Sequence, residues 1–353
     1  MQAQFLAILV VGASGAALAE ERPVYQWLLC QQQATGLLGN QEGETFAGVY
    51  PNALAAVCFL HEGDIRRAEQ VLDFFDRQWP AEFAKGTPGG FHQFWDAASG
   101  DVHADTDRWV GDNAWLLIAL NYYRHRADRM RYDRLRGEIA RWLISLQDED
   151  GGVWSGFNKD GPMRSKSTEA NLDCYAALVD HPAAREKIRR WLRDKMWIAE
   201  EQRFRMGTTV SESALDCSAW GVAALGREYA STLAYAERTF GRRDVTEVNG
   251  RTVWGFADFI DKRRIWWEGT GEMAVAYHVG GQRERAEQVL RELRAAMLSS
   301  RQRPGTCGLP CASSDPAWAG ATTKIFVPSQ AWYLFGVWEF NPMQNHAQGI
   351  HTH

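Results

Sequence analysis

Carboxylates stand at the beginning of several apolar segments in this 353-residue chain. The stretch RIWWEGTGEMAVAYH, residues 264–278, places Glu268 directly after two tryptophans and Glu272 four residues later. Asp112 and Glu169 occupy comparable positions in two other segments. Asp and Glu are rarely fully buried unless they are paired. Such residues therefore either cap helices or face a cavity in which a charge is useful.

Two carboxyl groups that face one cavity can hydrolyse a glycosidic bond. One carboxyl donates a proton to the leaving oxygen, the other activates water, and inverting enzymes separate the two by roughly 6.5–9.5 Å. Aromatic surroundings and a second carboxylate both raise a carboxyl pKa, as a general acid requires. We therefore predict that Glu169, Asp112 and Glu268 are catalytic. Glu169 is assigned as the acid, and Asp112 or Glu268 as the base.

Other acidic residues at helix starts have a simpler interpretation. A carboxylate in the first turn of a helix contributes about 0.3–1 kcal/mol by interacting with the helix dipole. Ser213 and Asp216 have the spacing of an approximate capping box, so capping is favoured for Asp216 and also for Glu272. Asp173 follows Glu169 by one turn, so that both project from one helix face.

Aromatic and amide residues near the same helix starts suit sugar binding, because flat rings and a few polar groups are typical of ligand pockets. The alternative is that about half of the rings fill seams of the core. The candidate substrate-binding residues are Tyr50, Trp95, Trp109, Asn113, Trp154, Asn171, Asp173, Trp266, Trp267, Glu272 and Gln330. Phe94, Phe157 and Trp318 are further candidate sugar platforms.

Basic residues also precede these helix starts: Arg108, Arg164, Lys166, Arg203, Arg205, Lys262, Arg263, Arg264 and Lys324. Together with the positive ends of helix dipoles, they would favour an anion and hint at a uronate-bearing glycan. The favoured alternative is that they neutralise nearby carboxylates.

The segments that carry these residues predict the architecture. Six nearly uniformly apolar segments indicate buried helices: 50–60, 111–123, 168–179, 215–226, 268–279 and 327–338. Six amphipathic segments, with apolar residues three and four apart, indicate outer helices: 24–33, 64–79, 132–147, 183–197, 229–240 and 283–298. The sequence thus predicts an all-α chain with an inner and an outer ring of six helices. The stretch GGFHQFWDAASGDVH, residues 89–103, is the one predicted β-hairpin.

This alternation resembles the (α/α)6 barrel of the six-hairpin glycosidase superfamily. The phrases STEANLDCYAAL and WWEGTGEMAVAY are similar to a group of bacterial proteins in that superfamily. The resemblance implies a carbohydrate-active enzyme, although hydrolases, lyases and epimerases share related architectures. It also implies Tyr-Asp before the first inner NAL, where this chain has Tyr50-Pro51-Asn52 and so lacks one carboxylate.

Two other functions remain open at this stage. A polysaccharide lyase could use Tyr50 or His92 as its base, with an Arg or Asn neutralising a uronate. A glycan-binding protein without catalysis would fit the missing carboxylate at Pro51. No cofactor is predicted, and no metal site either, because HADTD at residues 103–107 and the terminal HAQGIHTH lack a recognised ligand spacing.

Composition and the two termini suggest an exported globular protein. The chain is 45% hydrophobic, and its net charge of −5 indicates neither nucleic acid nor a membrane surface as partner. Residues 1–19 resemble a signal peptide without a basic residue before the apolar run, which predicts a periplasmic or secreted protein. We expect one domain over residues 20–340, a flexible tail over 341–353, no membrane span in the mature form and a monomer. Cys307 and Cys311 are close enough along the chain to suggest a disulfide, with a zinc pair as the alternative.

Overall fold

The computed structural model describes residues 14–344, except for 105, 128, 249–250, 262 and 315–321. For residues 14–20 and 243–248 it describes the backbone alone. Residues 1–13 of the predicted signal peptide, residues 345–353 of the predicted tail, Lys262 and Trp318 lie outside the described part. The first helix begins at Ser14 and runs through Ala19, the predicted cleavage position.

Six helices are buried along nearly their whole length, as their apolar composition predicts. They are α2 (Val49–His61), α4 (Val110–Ala127), α6 (Thr168–Ala177), α8 (Leu215–Leu225), α10 (Trp267–Val279) and α12 (Val327–Val337). Small residues permit close packing of these helices: a Cβ on Gly271 of α10 would lie 2.9 Å from Cβ of Trp332 on α12.

Six amphipathic helices alternate with the buried ones along the chain. They are α1 (Ser14–Gln31), α3 (Ile65–Glu82), α5 (Asp133–Ser145), α7 (Pro182–Trp191), α9 (Ser231–Phe240) and α11 (Arg283–Ala295). In α3 the apolar face that includes Val71, Leu72 and Phe75 is buried, while Arg66 and Arg77 are exposed. A π-helical turn, Leu192–Met196, extends α7. The predicted alternation of twelve helices is therefore present in the described residues.

The buried helices contact one another in a cyclic order. Helix α2 packs against α4, α4 against α6, α6 against α8, α8 against α10, α10 against α12, and α12 again against α2. Each amphipathic helix packs outside one of them, with α1 against α12 and the others against the buried helix that precedes them in the chain. Because every buried helix is followed by a return helix, the buried helices all begin at the same end of the ring.

A repeated polar contact ties a loop to the first turn of most buried helices. The Asn171 side-chain Oδ1 accepts from Val153 N at 2.7 Å, and its Nδ2 donates to Val153 O at 3.1 Å. Asn52, Asn113 and Gln330 make the same paired contact with the backbone of Leu38, Phe91 and Leu309, respectively. These amides satisfy buried backbone groups that would otherwise be costly to bury. The loops that precede these helices are thereby held against them.

Short strands correct the all-α expectation. The described residues contain eleven: Phe46–Gly48 (β1), Phe94–Asp96 (β2), Arg108–Trp109 (β3), Gly156–Asn158 (β4), Gly161–Met163 (β5), Trp197–Ile198 (β6), Arg203–Phe204 (β7), Gly241–Val248 (β8), Arg251–Phe256 (β9), Leu298–Ser299 (β10) and Cys307–Gly308 (β11). They form antiparallel sheets β1–β2, β3–β4–β5, β6–β7, β8–β9 and β10–β11. The hairpin predicted over 89–103 is reduced to a bridge between Trp95 and Val102, because β2 pairs mainly with β1.

Two further expectations need correction. All six cysteines remain thiols, so Cys307 and Cys311 form no disulfide. Cys307 lies in β11, where its Sγ is 3.7 Å from Sδ of Met297. The chain also stays packed beyond residue 340: buried Asn341 donates to Ala223 O at 2.8 Å, and Met343 is buried. The predicted flexible tail therefore cannot begin at 341.

Candidate active site

A cavity of about 670 Å³ lies where the buried helices begin. Five of these helices line it with residues from their first two turns, and the loops between them form its walls. The lining comprises Tyr50, Gln93, Trp109, Gly111, Asp112, Trp115, Ser155, Ser165, Lys166, Ser167, Glu169, Ala170, Asp173, Met206, Gly207, Thr209, Val210, Asp216, Trp220, Phe259, Trp266, Glu268 and Glu272. Six of these side chains are carboxyls, and this size suits a small-molecule site.

Asp112 lies in the first turn of α4, and its carboxyl is held by weak donors. Its Oδ1 accepts from Tyr50 N at 3.3 Å, and its Oδ2 lies 3.5 Å from Nε2 of Gln93. Burial raises the pKa of Asp112 to about 7, while the bonds from the backbone and from Gln93 oppose that rise. A group that is partly ionised near neutrality and reaches the cavity can act as a general base.

Glu169 lies in the first turn of α6, whose N-terminus is capped by Ser167 through a bond from Ala170 N. Its side chain is exposed to the solvent of the cavity. Partial desolvation within the cavity raises the pKa of Glu169 well above the ordinary value, and so do the charges of Asp216, Asp112 and Glu268. A protonated carboxyl that is open to the cavity fits the role of general acid.

Glu268 is the carboxyl with the best-defined partner. It is buried in the first turn of α10, and its Oε1 accepts from the Tyr50 hydroxyl at 2.7 Å. The same hydroxyl accepts from Trp332 Nε1 at 2.7 Å, which fixes its orientation. Burial raises the pKa of Glu268 to about 8, although the bond from Tyr50 and the nearby Trp266 side chain lower it. Burial also holds the pKa of Tyr50 well above its ordinary value, so that its hydroxyl remains a donor.

Four residues one turn deeper form what we call the cavity floor: Trp115, Asp173, Trp220 and Glu272. Burial and neighbouring carboxyls raise the pKa of both Asp173 and Glu272 well above the ordinary value. Indole N–H groups of Trp115 and Trp220 lie close enough to lower these pKa values, but they do not reach hydrogen-bond geometry. Asp173 approaches α4 so closely that a Cβ on Gly111 would lie 2.9 Å from its Oδ2.

Asp216 belongs to the cavity, in contrast to its predicted role in a capping box. The N-cap of α8 is Ala214, which makes no side-chain cap, and the Ser213 hydroxyl bonds Ala214 O. The Asp216 Oδ1 instead accepts from Cys217 N at 2.5 Å. Its pKa is raised by burial, and its charge is among the causes of the raised pKa values of Glu169, Glu268 and Glu272.

The structure brings together only some of the predicted substrate-binding residues. Tyr50, Trp109, Asp173, Trp266 and Glu272 line the cavity. Trp109 is 36% exposed and Phe259 is 42% exposed, so that these two rings stand where the cavity opens.

The remaining candidates lie elsewhere. Asn113, Asn171 and Gln330 are fully buried and bind loop backbone, which gives them a structural role. Trp95, Trp154 and Trp267 do not line the cavity. Trp95 Nε1 donates to His92 O at 3.1 Å, and Trp154 Nε1 donates to Asp148 Oδ2 at 3.2 Å. Asn113, Asn171 and Gln330 do lie in the first turns of buried helices, but their side chains bind loop backbone and do not face the cavity.

The predicted basic residues mostly form ion pairs outside the cavity. Arg108 contacts Glu82 at 2.9 Å, Arg264 contacts Asp258 at 2.8 Å, Arg203 contacts Glu201 at 2.6 Å and Lys324 contacts Glu44 at 2.6 Å. Lys166 is the only lining cation among the described residues, and it pairs with Asp148 at 2.7 Å and Asp150 at 2.6 Å. These ion pairs support the interpretation that the basic residues neutralise nearby carboxylates.

Several lining residues, including Gln93, Trp115 and Trp220, were not predicted from the sequence. A usable signal was present for two of them. Trp115 and Trp220 follow Asp112 and Asp216 by three and four residues, the spacing that places side chains on one helix face. Gln93 lies in a loop, where spacing carries no such information.

Neither a metal site nor a membrane span is found where the chain is described. Within those residues, no three His, Cys, Asp or Glu side chains are arranged to hold a metal ion. No described helix combines the length and apolarity needed to cross a bilayer.

Comparison with known proteins gives structural matches alone. No family model matches the sequence, and no curated protein matches it significantly. A glycosidase variant aligns with a TM-score of 0.68 and 14% identity over 93% of this chain and 98% of its own. A second variant, in complex with glucose, gives 0.65 and 15% with the same coverage. Cellobiose 2-epimerase from Bacillus thermoamylovorans gives 0.65 and 12% over 92% of this chain and 98% of its own.

These neighbours match nearly the whole chain at identities that establish a shared fold and nothing finer. An α-amylase from Clostridium perfringens is similar in the same way, with a TM-score of 0.64. Glycosidases and sugar epimerases thus share this architecture. The chain therefore shares its fold with these glycosidases and sugar epimerases, in agreement with the kind of fold that its sequence resemblance implied.

Proposed function

We propose that the chain is an inverting glycoside hydrolase, built as an (α/α)6 barrel, that cleaves an oligo- or polysaccharide. The observation that carries this proposal is the position of Glu169, a carboxyl with a raised pKa that opens into a cavity shared with Asp112. The structural neighbours add support, since they include glycosidases. Secretion to the periplasm or beyond, and a monomeric state, remain parts of the proposal that rest on the sequence.

The chemistry needs two groups in opposite protonation states. Asp112, with a pKa of about 7, takes a proton from water as the water oxygen bonds to the anomeric carbon. The bond from that carbon to the leaving oxygen breaks, and Glu169 donates its proton to that oxygen. Attack from the face opposite the leaving group inverts the anomeric configuration.

Asp112 is preferred over Glu268 as the base because of where each carboxyl lies. Asp112 reaches the cavity solvent, where a water can be bound. Glu268 is 3% exposed, and one of its oxygens is engaged by Tyr50. Glu268, whose pKa is itself raised to about 8, therefore acts on Glu169 through its charge once it ionises, when it raises the pKa of Glu169.

The lyase alternative has less support from the contacts. His92 bonds Glu82 and Arg108 and does not line the cavity, while the Tyr50 hydroxyl donates to Glu268. A uronate would also need a cation, and the lining cation Lys166 already has two carboxylate partners. The absence of a carboxylate at position 51 leaves six others in the cavity, so that it does not favour a binding protein without catalysis.

The test is a panel of neutral and acidic glycans, read for new reducing ends, for ultraviolet absorbance and for product configuration by NMR. We expect new reducing ends of inverted configuration without ultraviolet absorbance. Glu169→Gln should lower kcat by at least about a hundredfold while preserving glycan binding, since general acid catalysis supplies 10²–10⁴. Glu284→Gln, an exposed carboxyl in the first turn of α11, is the matched control and should retain full activity.

Three results would contradict the proposal. Full activity of Glu169→Gln would remove the assigned acid. Unsaturated products that absorb in the ultraviolet would identify a lyase, and epimerised sugars without bond cleavage would identify an epimerase.

A further inference from the structure

The lining of the cavity is strongly acidic. Its described lining contains six carboxyls and one cation. That cation, Lys166, is itself bound to Asp148 and Asp150, which are not part of the lining. The chain thus supplies no free positive charge to offset these carboxyls from within the described lining.

Two floor residues also have acceptor atoms that the protein leaves unsatisfied. Glu272 is 1% exposed, and neither of its carboxyl oxygens has a hydrogen-bond partner. Asp173 is also 1% exposed, and its Oδ1 likewise has no hydrogen-bond partner. A buried polar atom without a partner is costly, so that such atoms usually indicate a ligand or a functional constraint.

The carboxyls that face Glu272 come from several helices. Glu268 lies one turn earlier on α10, Asp216 comes from α8 and Glu169 from α6, and the Tyr50 hydroxyl approaches from α2. A divalent metal ion is not the matching occupant, because no three of these groups in the described residues are arranged to hold one. A hydroxyl-bearing neutral sugar would leave the accumulated negative charge uncompensated whenever these groups ionise.

We infer that the sugar unit bound in this cavity carries a free, protonated amino group, as in a non-acetylated hexosamine, and that the floor carboxyls select it. This inference rests on the proposed function, of which it specifies the substrate class. An ammonium group donates up to three hydrogen bonds and brings the missing positive charge. Its arrival favours the ionised form of nearby carboxyls, so that a floor carboxyl releases its proton to solvent as the ammonium binds.

The test uses three matched sets of short oligosaccharides that differ at one position of each unit. Oligomers of glucosamine and galactosamine carry an ammonium there, their N-acetylated forms carry an amide, and the glucose and galactose oligomers carry a hydroxyl. Binding to the full chain is measured by calorimetry at pH 6, where an amine of pKa near 8 is protonated. Measurements in two buffers of different ionisation enthalpy report the protons released.

We expect at least tenfold tighter binding of one amino-sugar oligomer than of its hydroxyl and acetylated counterparts, because hydrogen bonds to charged groups are the stronger ones. About one proton should be released per amine bound, and none with the neutral sets. Glu272→Gln should reduce both the preference and the proton release, and Asp173→Asn should act in the same direction. Glu284→Gln should change neither.

Equal binding of the three sets, binding of the neutral sets alone or no binding of any set would overturn the inference. Failure of this inference and failure of the proposed function are distinguishable. Hydrolysis of a neutral glycan without any preference for the amine would refute the inference and would still support the proposed hydrolase function. Binding of an amino sugar with proton release, but without cleavage, would refute the hydrolase function and would still support the inference.

Discussion

Replacing Asn171 by alanine should destabilise the protein without altering its chemistry. The side chain is fully buried and makes three hydrogen bonds to backbone groups. Two join it to Val153, at 2.7 and 3.1 Å, and the third joins it to Ser167 O at 2.8 Å. Alanine would leave the N–H and C=O of buried Val153 without these partners.

The expected cost follows from these three contacts. Each bond contributes about 0.5–1.5 kcal/mol net, so the loss of all three should lower the free energy of unfolding by about 1.5–4.5 kcal/mol. That is a large share of the roughly 5–15 kcal/mol that stabilises a typical domain. Urea titration followed by tryptophan fluorescence measures it, and an unchanged dependence on urea concentration would show that the denatured state is unaffected.

The control is Asn158→Ala in the β4–β5 hairpin, where Oδ1 of Asn158 accepts from Asp160 N at 2.9 Å near the surface. Its cost should stay within about 0.5 kcal/mol. If Asn171→Ala unfolds within 0.5 kcal/mol of the parent and loses affinity for sugar, the structural assignment is mistaken and Asn171 is a ligand-binding residue.

Three further predictions concern the site and the cysteines. Tyr50→Phe removes a hydrogen-bond donor to Glu268, so the pKa of Glu268 should rise above about 8, by about one to two units. The infrared band of the carboxyl group measures this pKa. An unchanged pKa would mean that the bond from Tyr50 does not stabilise the ionised carboxylate. Asp112 binds its proton up to about pH 7 in the folded state but ionises near pH 4 when unfolded, so it makes stability fall as pH rises through this window. Asp112→Asn should make the free energy of unfolding decrease less steeply with pH than in the parent, by at most about 1.4 kcal/mol per pH unit. Urea titrations at pH 4.5, 5.5 and 6.5 measure this, and the same pH dependence in both proteins would contradict the raised pKa of Asp112. Denatured, unreduced protein should titrate as six thiols, whereas a bridge between Cys307 and Cys311 would leave four.

The arrangement of acids in this cavity has a general consequence for activity. Asp112 and Glu169 reach the cavity solvent, whereas Glu268, Asp173 and Glu272 are almost fully enclosed. Enclosed carboxyls can influence the reaction by their charge even where they do not touch the reacting atoms. Substitutions at these buried positions should therefore alter the pH dependence of turnover in addition to its rate.

The alternation of helices could be predicted from the sequence because burial leaves a direct mark on residue composition. A helix surrounded by others is apolar all around, and one on the outside is apolar on one face. The acidic helix starts at Asp112, Glu169 and Glu268 were recognisable for a related reason, since a charge is unusual at the edge of an apolar segment.

Short strands were harder to predict, because two or three residues carry too little periodicity. The longest hairpin, β8–β9, did leave a signal in the Asn249-Gly250 pair between its strands, as this pair favours a tight turn.

The prediction of a disulfide between Cys307 and Cys311 was wrong for a different reason. Proximity along the chain does not set the direction of a side chain. Cys307 lies in β11, and its Sγ contacts Sδ of Met297.

By itself, the sequence determined which segments are buried and where acidic groups occur along them. Only the tertiary structure decided which polar residues at those helix starts face the cavity. Asp216 turns into it while Asn171 turns to a loop, although both occupy the first turn of a buried helix. The physical reason is that a helix start offers positions on every side, and packing against neighbouring helices and loops selects among them.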